Sequence, residues 1–258
     1  MDRVVSVPVT RVPSRDAGDD AVAVEEPLEI SAGAKTISVT MRTPGDDFDL
    51  ALGFLFTEGL LRKFEEVESV RHWGSPNRVR VTLREGVQLD ASKLDRHFYT
   101  TSSCGVCGKT SIDAVRIACG VLPPSEPFRA ELVQRLGEPF ADAQTAFRAT
   151  GSMHAAALFD RDGKLVALRE DIGRHNAVDK VIGALFRESA TPLRERLLFV
   201  SSRASFEIVQ KAAVAGIPAV AAVGGPSSLA IELARDLNVT LLGFVRDGRF
   251  NVYAGGVA

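Results

Sequence analysis

From residue 154 to the end of the chain, short apolar runs alternate with amphipathic stretches, and that rhythm limits the fold more than any other feature. Strands are expected at His154–Phe159, Leu165–Arg169, Leu197–Ser201, Ala219–Val223, Thr240–Val245 and Phe250–Tyr253. Helices are expected from just after Gly173 to Phe186 or Arg187, from Ser205 to Ala215 and from Ser227 to Leu237. The strand runs are rich in Val, Leu and Ala and carry little polar alternation, which suits strands buried on both faces. A mostly parallel sheet covered by helices on each side follows. The chain has 258 residues, room for one large or two small domains. Hydrophobic residues at 45% and charged residues at 25% exclude a mainly disordered or fibrous chain.

Upstream the pattern is different. Residues 1–25 mix Val with Asp, Arg, Ser and Pro, and read as a flexible, solvated tail. Thr36–Arg42 alternates like a half-buried strand, Pro44-Gly45 marks a turn, and Asp46 or Asp47 caps a helix running to about Leu61. Val67–Trp73 and Arg78–Leu83 form two strands around the turn Gly74-Ser75-Pro76-Asn77. A small N-terminal αβ domain over 26–122 is therefore expected. It ends in a cysteine-bearing loop and a helix that fades before Pro123-Pro124. Helical stretches near Arg129–Arg135 and Ala141–Ala149 open the second domain, 123–258.

Formal charge is −2, so a generally basic nucleic-acid binder is not expected, although 24 of the 31 cationic residues are arginines suited to phosphate. No apolar run approaches a membrane span, and residues 1–13 lack a secretory core. Three cysteines argue against a disulfide scaffold and for a reducing compartment, the cytoplasm.

The sharpest chemical signal is Cys104-Gly105-Val106-Cys107-Gly108-Lys109. Thr110-Ser111-Ile112-Asp113 resembles a capping box, so the thiols stand just ahead of a helix start and beside a lysine. Dipole and cation both favour the thiolate there. A zinc site would need four ligands, and Cys119 reads as a packed residue on the face of Ile112 and Val115, so no metal is assigned. A redox dithiol and a persulfide carrier both use this chemistry, and the spacing alone does not separate them.

A second signal is the run Arg169-Glu170-Asp171-Ile172-Gly173-Arg174-His175-Asn176-Ala177-Val178-Asp179-Lys180 at a strand-to-helix junction. It reads either as a solvated helix start capped by Asp171 or as a ligand site at the carboxyl ends of strands. His154 reads first as a hydrogen-bonded rim residue, and His72 and His97 receive no role. Ser201–Ser205 and Gly224–Ser228 each join a strand to a helix. Their small residues are expected to expose backbone N–H groups to an anion, with Pro226 at a first helical position. Phe244–Phe250 is a hairpin around Asp247-Gly248, flanked by Arg246 and Arg249, which either decorate the surface or clamp phosphate.

Taken together, Cys-Gly-Val-Cys-Gly-Lys at 104–109, Glu-Asp-Ile-Gly-Arg-His-Asn-Ala-Val-Asp-Lys at 170–180 and Ser-Ser-Arg-Ala-Ser-Phe-Glu at 201–207 resemble the FdhD family of formate dehydrogenase accessory sulfurtransferases. The likeness runs from about Glu26 to Tyr253 and includes the closing Gly-Phe-Val-Arg-Asp-Gly-Arg-Phe-Asn-Val-Tyr. One departure is Gly151-Ser152-Met153-His154, where the family pattern has Gly-Gly before the hydrophobic residue and His. The resemblance implies a cytoplasmic sulfurtransferase in which a cysteine desulfurase loads sulfur onto Cys104 as a persulfide. The sulfur then passes to Mo-bis(molybdopterin guanine dinucleotide), the bound substrate, for formate dehydrogenase. Cys107 serves as second thiol, and Phe244, Val245, Arg246, Asp247, Gly248 and Arg249 contact the cofactor. A homodimer is expected by analogy.

The resemblance also implies a C-terminal three-layer α/β/α domain similar to the cytidine deaminase fold. Deaminase chemistry itself is excluded. His154 is followed by Ala155-Ala156 rather than x-Glu, and Ser201–Ser205 holds no cysteine. The remaining alternatives are a non-catalytic cofactor chaperone and a dithiol redox protein.

Overall fold

The computed structural model describes residues 2–89 and 120–258. Cys104, Cys107, Lys109, the capping box, Cys119 and His97 lie outside the described residues.

The C-terminal half is built on six strands: β7 (His154–Phe159), β8 (Leu165–Asp171), β9 (Leu197–Val200), β10 (Ala219–Ala222), β11 (Thr240–Arg246) and β12 (Arg249–Ala254). Their order across the sheet is β12-β11-β10-β9-β7-β8. Period two divides the interior. Ala155, Ala157 and Phe159 face Phe128, Leu132, Val133, Leu136 and Phe140 on one side. Ala156 and Leu158 face Val178, Val181 and Ile182 on the other. The first side is covered by α2 (Ala130–Arg135) and α3 (Gly137–Ala143), the second by α5 (Arg174–Arg187), α6 (Phe206–Val214) and α7 (Ser228–Asp236). The expected three layers are present.

The sheet is mixed, where a mostly parallel one was expected. Only β9–β10 and β10–β11 are parallel. The tight turns at Asp160–Gly163 and Asp247-Gly248 are too short for crossovers, so β7–β8 and β11–β12 are hairpins, and β7 also runs antiparallel to β9. The helix expected at 141–149 is broken at Gln144 into α3 and α4 (Thr145–Thr150). The carboxylate of Glu170 accepts from the N–H of Ala146 (2.9 Å) and Phe147 (2.8 Å), supplying a fresh helix start there.

The N-terminal half contributes β3 (Glu26–Ala32), β4 (Lys35–Arg42), α1 (Asp47–Thr57), β5 (Val67–Trp73) and β6 (Ser75–Leu83), with a second sheet in the order β4-β3-β6-β5. Its inner face, Leu28, Ile30, Val79 and Val81, shares one apolar cluster with Leu52 and Leu55 of α1 and with α5. Buried aliphatic side chains of this kind contribute about 1.5–3 kcal/mol each. α1 and α5 cross at two glycines. A Cβ on Gly53 would stand 1.9 Å from the Asp179 carbonyl oxygen, and one on Gly183 would stand 1.9 Å from that of Asp49. The two backbones touch because neither residue has a side chain.

Residues expected as a solvated tail instead form a hairpin, β1 (Val4–Arg11) with β2 (Asp16–Ala23), in register from Val4↔Ala23 to Arg11↔Asp16. Val7 and Val9 are half buried while Ser6, Pro8 and Thr10 are exposed, so a period of two was present beneath the charged composition. Arg3 pairs with Asp46 beside this hairpin. Asp46 stands at the N-cap of α1, but its side chain makes no capping bond. Among the described residues no helix is long and apolar enough to cross a membrane.

Candidate functional site

Strands β8, β9, β10 and β11 end, and β7 begins, along one edge of the six-stranded sheet. Four segments singled out in the sequence therefore meet there with His154: residues 171–175, 201–205, 224–228 and 244–249.

The junction 169–180 proves to be two things at once. Most of it is buried and structural. Lys180, with no exposed surface, donates to Asp171 Oδ2 (2.7 Å) and to the Thr43 carbonyl (2.8 Å). Asp171 is equally buried and accepts from the N–H groups of Thr43 (3.1 Å) and Gly173 (2.8 Å) and from Asn176 Nδ2 (3.0 Å). Asn176 also donates to the Met41 carbonyl (2.7 Å). A neighbouring knot joins Lys211 to both oxygens of Asp179 (2.9 and 3.0 Å), to Glu58 (3.1 Å) and to Thr57 (2.9 Å). Burial works against charge on Lys211. The Asp179 and Glu58 carboxylates beside it more than reverse that, and hold the ammonium above the ordinary lysine range. These ion pairs bind the N-terminal half to the C-terminal half. The solvated helix start that the sequence allowed is absent, and Gly173 rather than Asp171 is the N-cap of α5.

Two residues of the same motif stand half buried at the strand ends. Arg174 is the first residue of α5, where a cation opposes the helix dipole and no acid shares the first turn. His175 lies with Nε2 3.5 Å from Ser205 Oγ and 3.8 Å from Glu207 Oε2. His154 is half buried in register with Asp171. Burial, then the guanidinium of Arg174, hold its imidazole below the ordinary range against the pull of Asp171.

The loops after β9 and β10 are zipped to each other. Gly224 N–H donates to the Ser202 carbonyl (3.2 Å), Ser227 N–H to Ala204 (3.1 Å) and Val223 N–H to Val200 (3.0 Å). These three donors are spent, which narrows the expectation that the two loops offer backbone N–H groups to an anion. Pro226 also precedes the helix rather than opening it, and Ser227 is the cap, accepting from Ala230 N–H (3.2 Å). The loops make a floor on which the C-terminal hairpin rests.

Phe244 leans over that floor. Its N–H donates to the Gly224 carbonyl (3.1 Å), and a Cβ on Gly225 would come within 2.7 Å of its ring. The register of β11 and β12 shifts between Gly243 and Arg246, and Phe244 there takes a φ of 55°. A bulky residue rarely adopts that backbone, which costs on the order of 1–3 kcal/mol and marks functional positions. The bulge re-aims the ring outward and leaves it 41% exposed. Val245, by contrast, is buried in the second apolar cluster and supports the hairpin from within. Arg246, Asp247, Gly248 and Arg249 are exposed, with Asp247 Oδ2 3.8 Å from Arg249 Nη2.

Arg203, on the loop after β9, is exposed as well, and set among small residues it carries no pattern that marks it in the sequence. The edge thus gathers Arg174, Arg203, Arg246 and Arg249, a cationic rim on a chain whose formal charge is −2. Among the described residues no group of His, Cys, Asp and Glu is arranged to hold a metal. The rim instead offers guanidinium forks and an exposed ring, which suit phosphates and a flat heterocycle.

The family model described as the FdhD/NarQ family matches residues 23–257. A protein named sulfur carrier protein FdhD from Mycolicibacterium paratuberculosis is 48% identical over 247 residues, covering 92% of this chain and 91% of that one. Another of that name, from Anaeromyxobacter dehalogenans, is 50% identical over 252 residues, covering 92% and 88%. The crystal structure of a protein described as a formate dehydrogenase accessory protein, from Desulfotalea psychrophila, superposes with a TM-score of 0.76 at 24% identity. It covers 98% of this chain and 96% of that one, a likeness of fold.

Proposed function

The chain belongs to the FdhD/NarQ family, and from that premise we propose that it is a sulfur carrier for formate dehydrogenase maturation, with Cys104 as the carrying thiol. A cysteine desulfurase presents a persulfide. The Cys104 thiolate attacks its outer sulfur, and the desulfurase thiol leaves, with no net oxidation. The cargo to be sulfurated, Mo-bis(molybdopterin guanine dinucleotide), is held at the edge of the six-stranded sheet. Cys107 then attacks the inner sulfur of the Cys104 persulfide. A disulfide forms and hydrosulfide departs. The two electrons from the thiol sulfurs reduce the sulfane atom to sulfide.

The observation that carries this reading is the arginine rim. Arg203, Arg246 and Arg249 lie on the loop and hairpin beside the exposed Phe244, and Arg174 stands further along the same strand ends, a spread of cations that suits cargo with two phosphate-bearing guanine arms. Val245 supports the hairpin, and Asp247-Gly248 turns it so that both arginines flank one point. His154, whose imidazole burial and then Arg174 hold below the ordinary range, and His175 beside Glu207 are the groups of the edge placed to handle a proton.

Two measurements test it. Intact mass after incubation with desulfurase and cysteine gains one sulfur in the wild type and none in Cys104→Ala. GDP binds the wild type, and the double variant Arg246→Ala, Arg249→Ala binds it at least about tenfold more weakly. A Cys104→Ala protein that still matures formate dehydrogenase would reduce the role to delivery of the cofactor.

A further inference from the structure

The outer face of the four-stranded sheet breaks a rule of strand pairing. Register places Val39, Glu29 and Arg78 in one row across β4, β3 and β6, and Ser31, Arg80 and Arg71 in the next row across β3, β6 and β5. Arg71 and Arg80 are therefore directly opposite one another. Like charges so placed destabilise a sheet. Arg78 is answered by Glu29 Oε2 at 3.2 Å. Among the described residues no carboxylate answers Arg71 or Arg80, and Arg80 Nε is buried without a hydrogen-bond partner. The Arg80 guanidinium lies 3.7 Å from the centre of the Trp73 ring, which is 44% exposed. Val39 and Met41 are exposed on the same face, at 55% and 48%. Among the described residues no helix covers it, since α1 packs on the other side.

A face that sets two arginines opposite one another with no carboxylate between them, one of them stacked on an exposed tryptophan, is arranged for counter-charge from outside. Arginine and aromatic residues also dominate the energetics of protein interfaces. The proposed relay has two stations, and the cargo takes the other sheet, which leaves this face for the donor. β6, which carries Arg78 and Arg80, runs out at Leu83, 21 residues before Cys104, whereas the cargo edge belongs to the other sheet. We propose that this face docks the protein sulfur donor through an acidic patch on the donor, with carboxylates on Arg71 and Arg80 and an apolar contact on Trp73. The proposal rests on the sulfur-carrier reading and adds the surface by which the donor is recognised.

The full chain tests it with two donors, the cysteine desulfurase of the same organism with cysteine, and inorganic polysulfide. Arg71→Glu puts an acid opposite Arg80, so the fold is expected to gain about 1–3 °C in Tm. Loading from the desulfurase is expected to lose about tenfold in kcat/KM at low ionic strength, with kcat held and the loss fading near ~0.5 M salt. Polysulfide loading stays unchanged, and Arg71→Lys behaves as the wild type. The proposal is overturned if Arg71→Glu loads normally from the desulfurase, or if both donors fail equally on it. A wild-type chain that gains sulfur from neither donor would sink the carrier reading itself, and this one with it.

Discussion

Within eleven residues, 170–180, the chain holds charges of two opposite kinds. Glu170, Asp171, Asp179 and Lys180 are nearly or wholly buried, and every one has its partner. Arg174 and His175, in the middle of the same run, stand at the edge of the sheet. A conspicuous polar motif is therefore not by itself a binding site. Four of its charged residues fasten neighbouring elements to one another, and the two between them reach the strand ends. Buried pairs of this sort add little net stability when intact and cost much when halved. The edge residues should show the reverse pattern, with small effects on stability and large ones on ligand.

The largest effect that would sharpen this contrast is Asp171→Ala. It leaves the Lys180 ammonium fully buried without its carboxylate, and about 3–5 kcal/mol should be lost, which thermal unfolding will read as a fall of about 10 °C. Adding Lys180→Met should return much of the loss. If the single variant unfolds like the wild type, the fastening role is wrong. Gly183→Ala comes next. Its Cβ meets the Asp49 carbonyl oxygen, and forcing α1 from α5 should cost on the order of 1–3 kcal/mol by chemical denaturation.

At the edge the sign of the comparison changes. Gly225→Ala pushes on the Phe244 ring and should weaken GDP binding about tenfold in calorimetry while shifting Tm little. Arg203→Ala should stay within about 0.5 kcal/mol of wild-type stability yet bind GDP more weakly and with a shallower salt dependence. The smallest effect concerns His154. Its folded pKa lies below the unfolded value near 6.5, so below that pH the unfolded chain takes up a proton that the native state resists. Stability present above pH 6.5 is lost as the pH falls. His154→Gln should flatten Tm between pH 7 and pH 5, and an unaltered slope would show that the imidazole is not held neutral.

Much of the C-terminal half was legible because its strands are continuous apolar runs and its helices carry clear stripes. Strand direction was not. It depends on which neighbours pair, and β7 lies between β8 and β9 for reasons that no local pattern records. The N-terminal hairpin was missed because Asp16, Asp19 and Asp20 gave residues 1–25 the composition of a solvated tail, while the alternation of Val7 and Val9 was the better guide. The break at Gln144 was invisible because its cause, Glu170, is 26 residues away. At the site, Arg246 and Arg249 stood out through their turn. Arg203 did not, since it is brought to the edge by a floor that two loops far apart in sequence form together.

The glycine crossing of α1 and α5 also governs how the molecule can move. Backbone seated against backbone leaves no side-chain cushion to slide on, and the ion pairs on either side of the crossing resist rotation. The arginine face of one sheet and the arginine rim of the other are thus stations at a constant separation, bolted to a single frame. If sulfur is received at one and delivered at the other, as proposed, the distance between them is not shortened by one half swinging toward its neighbour.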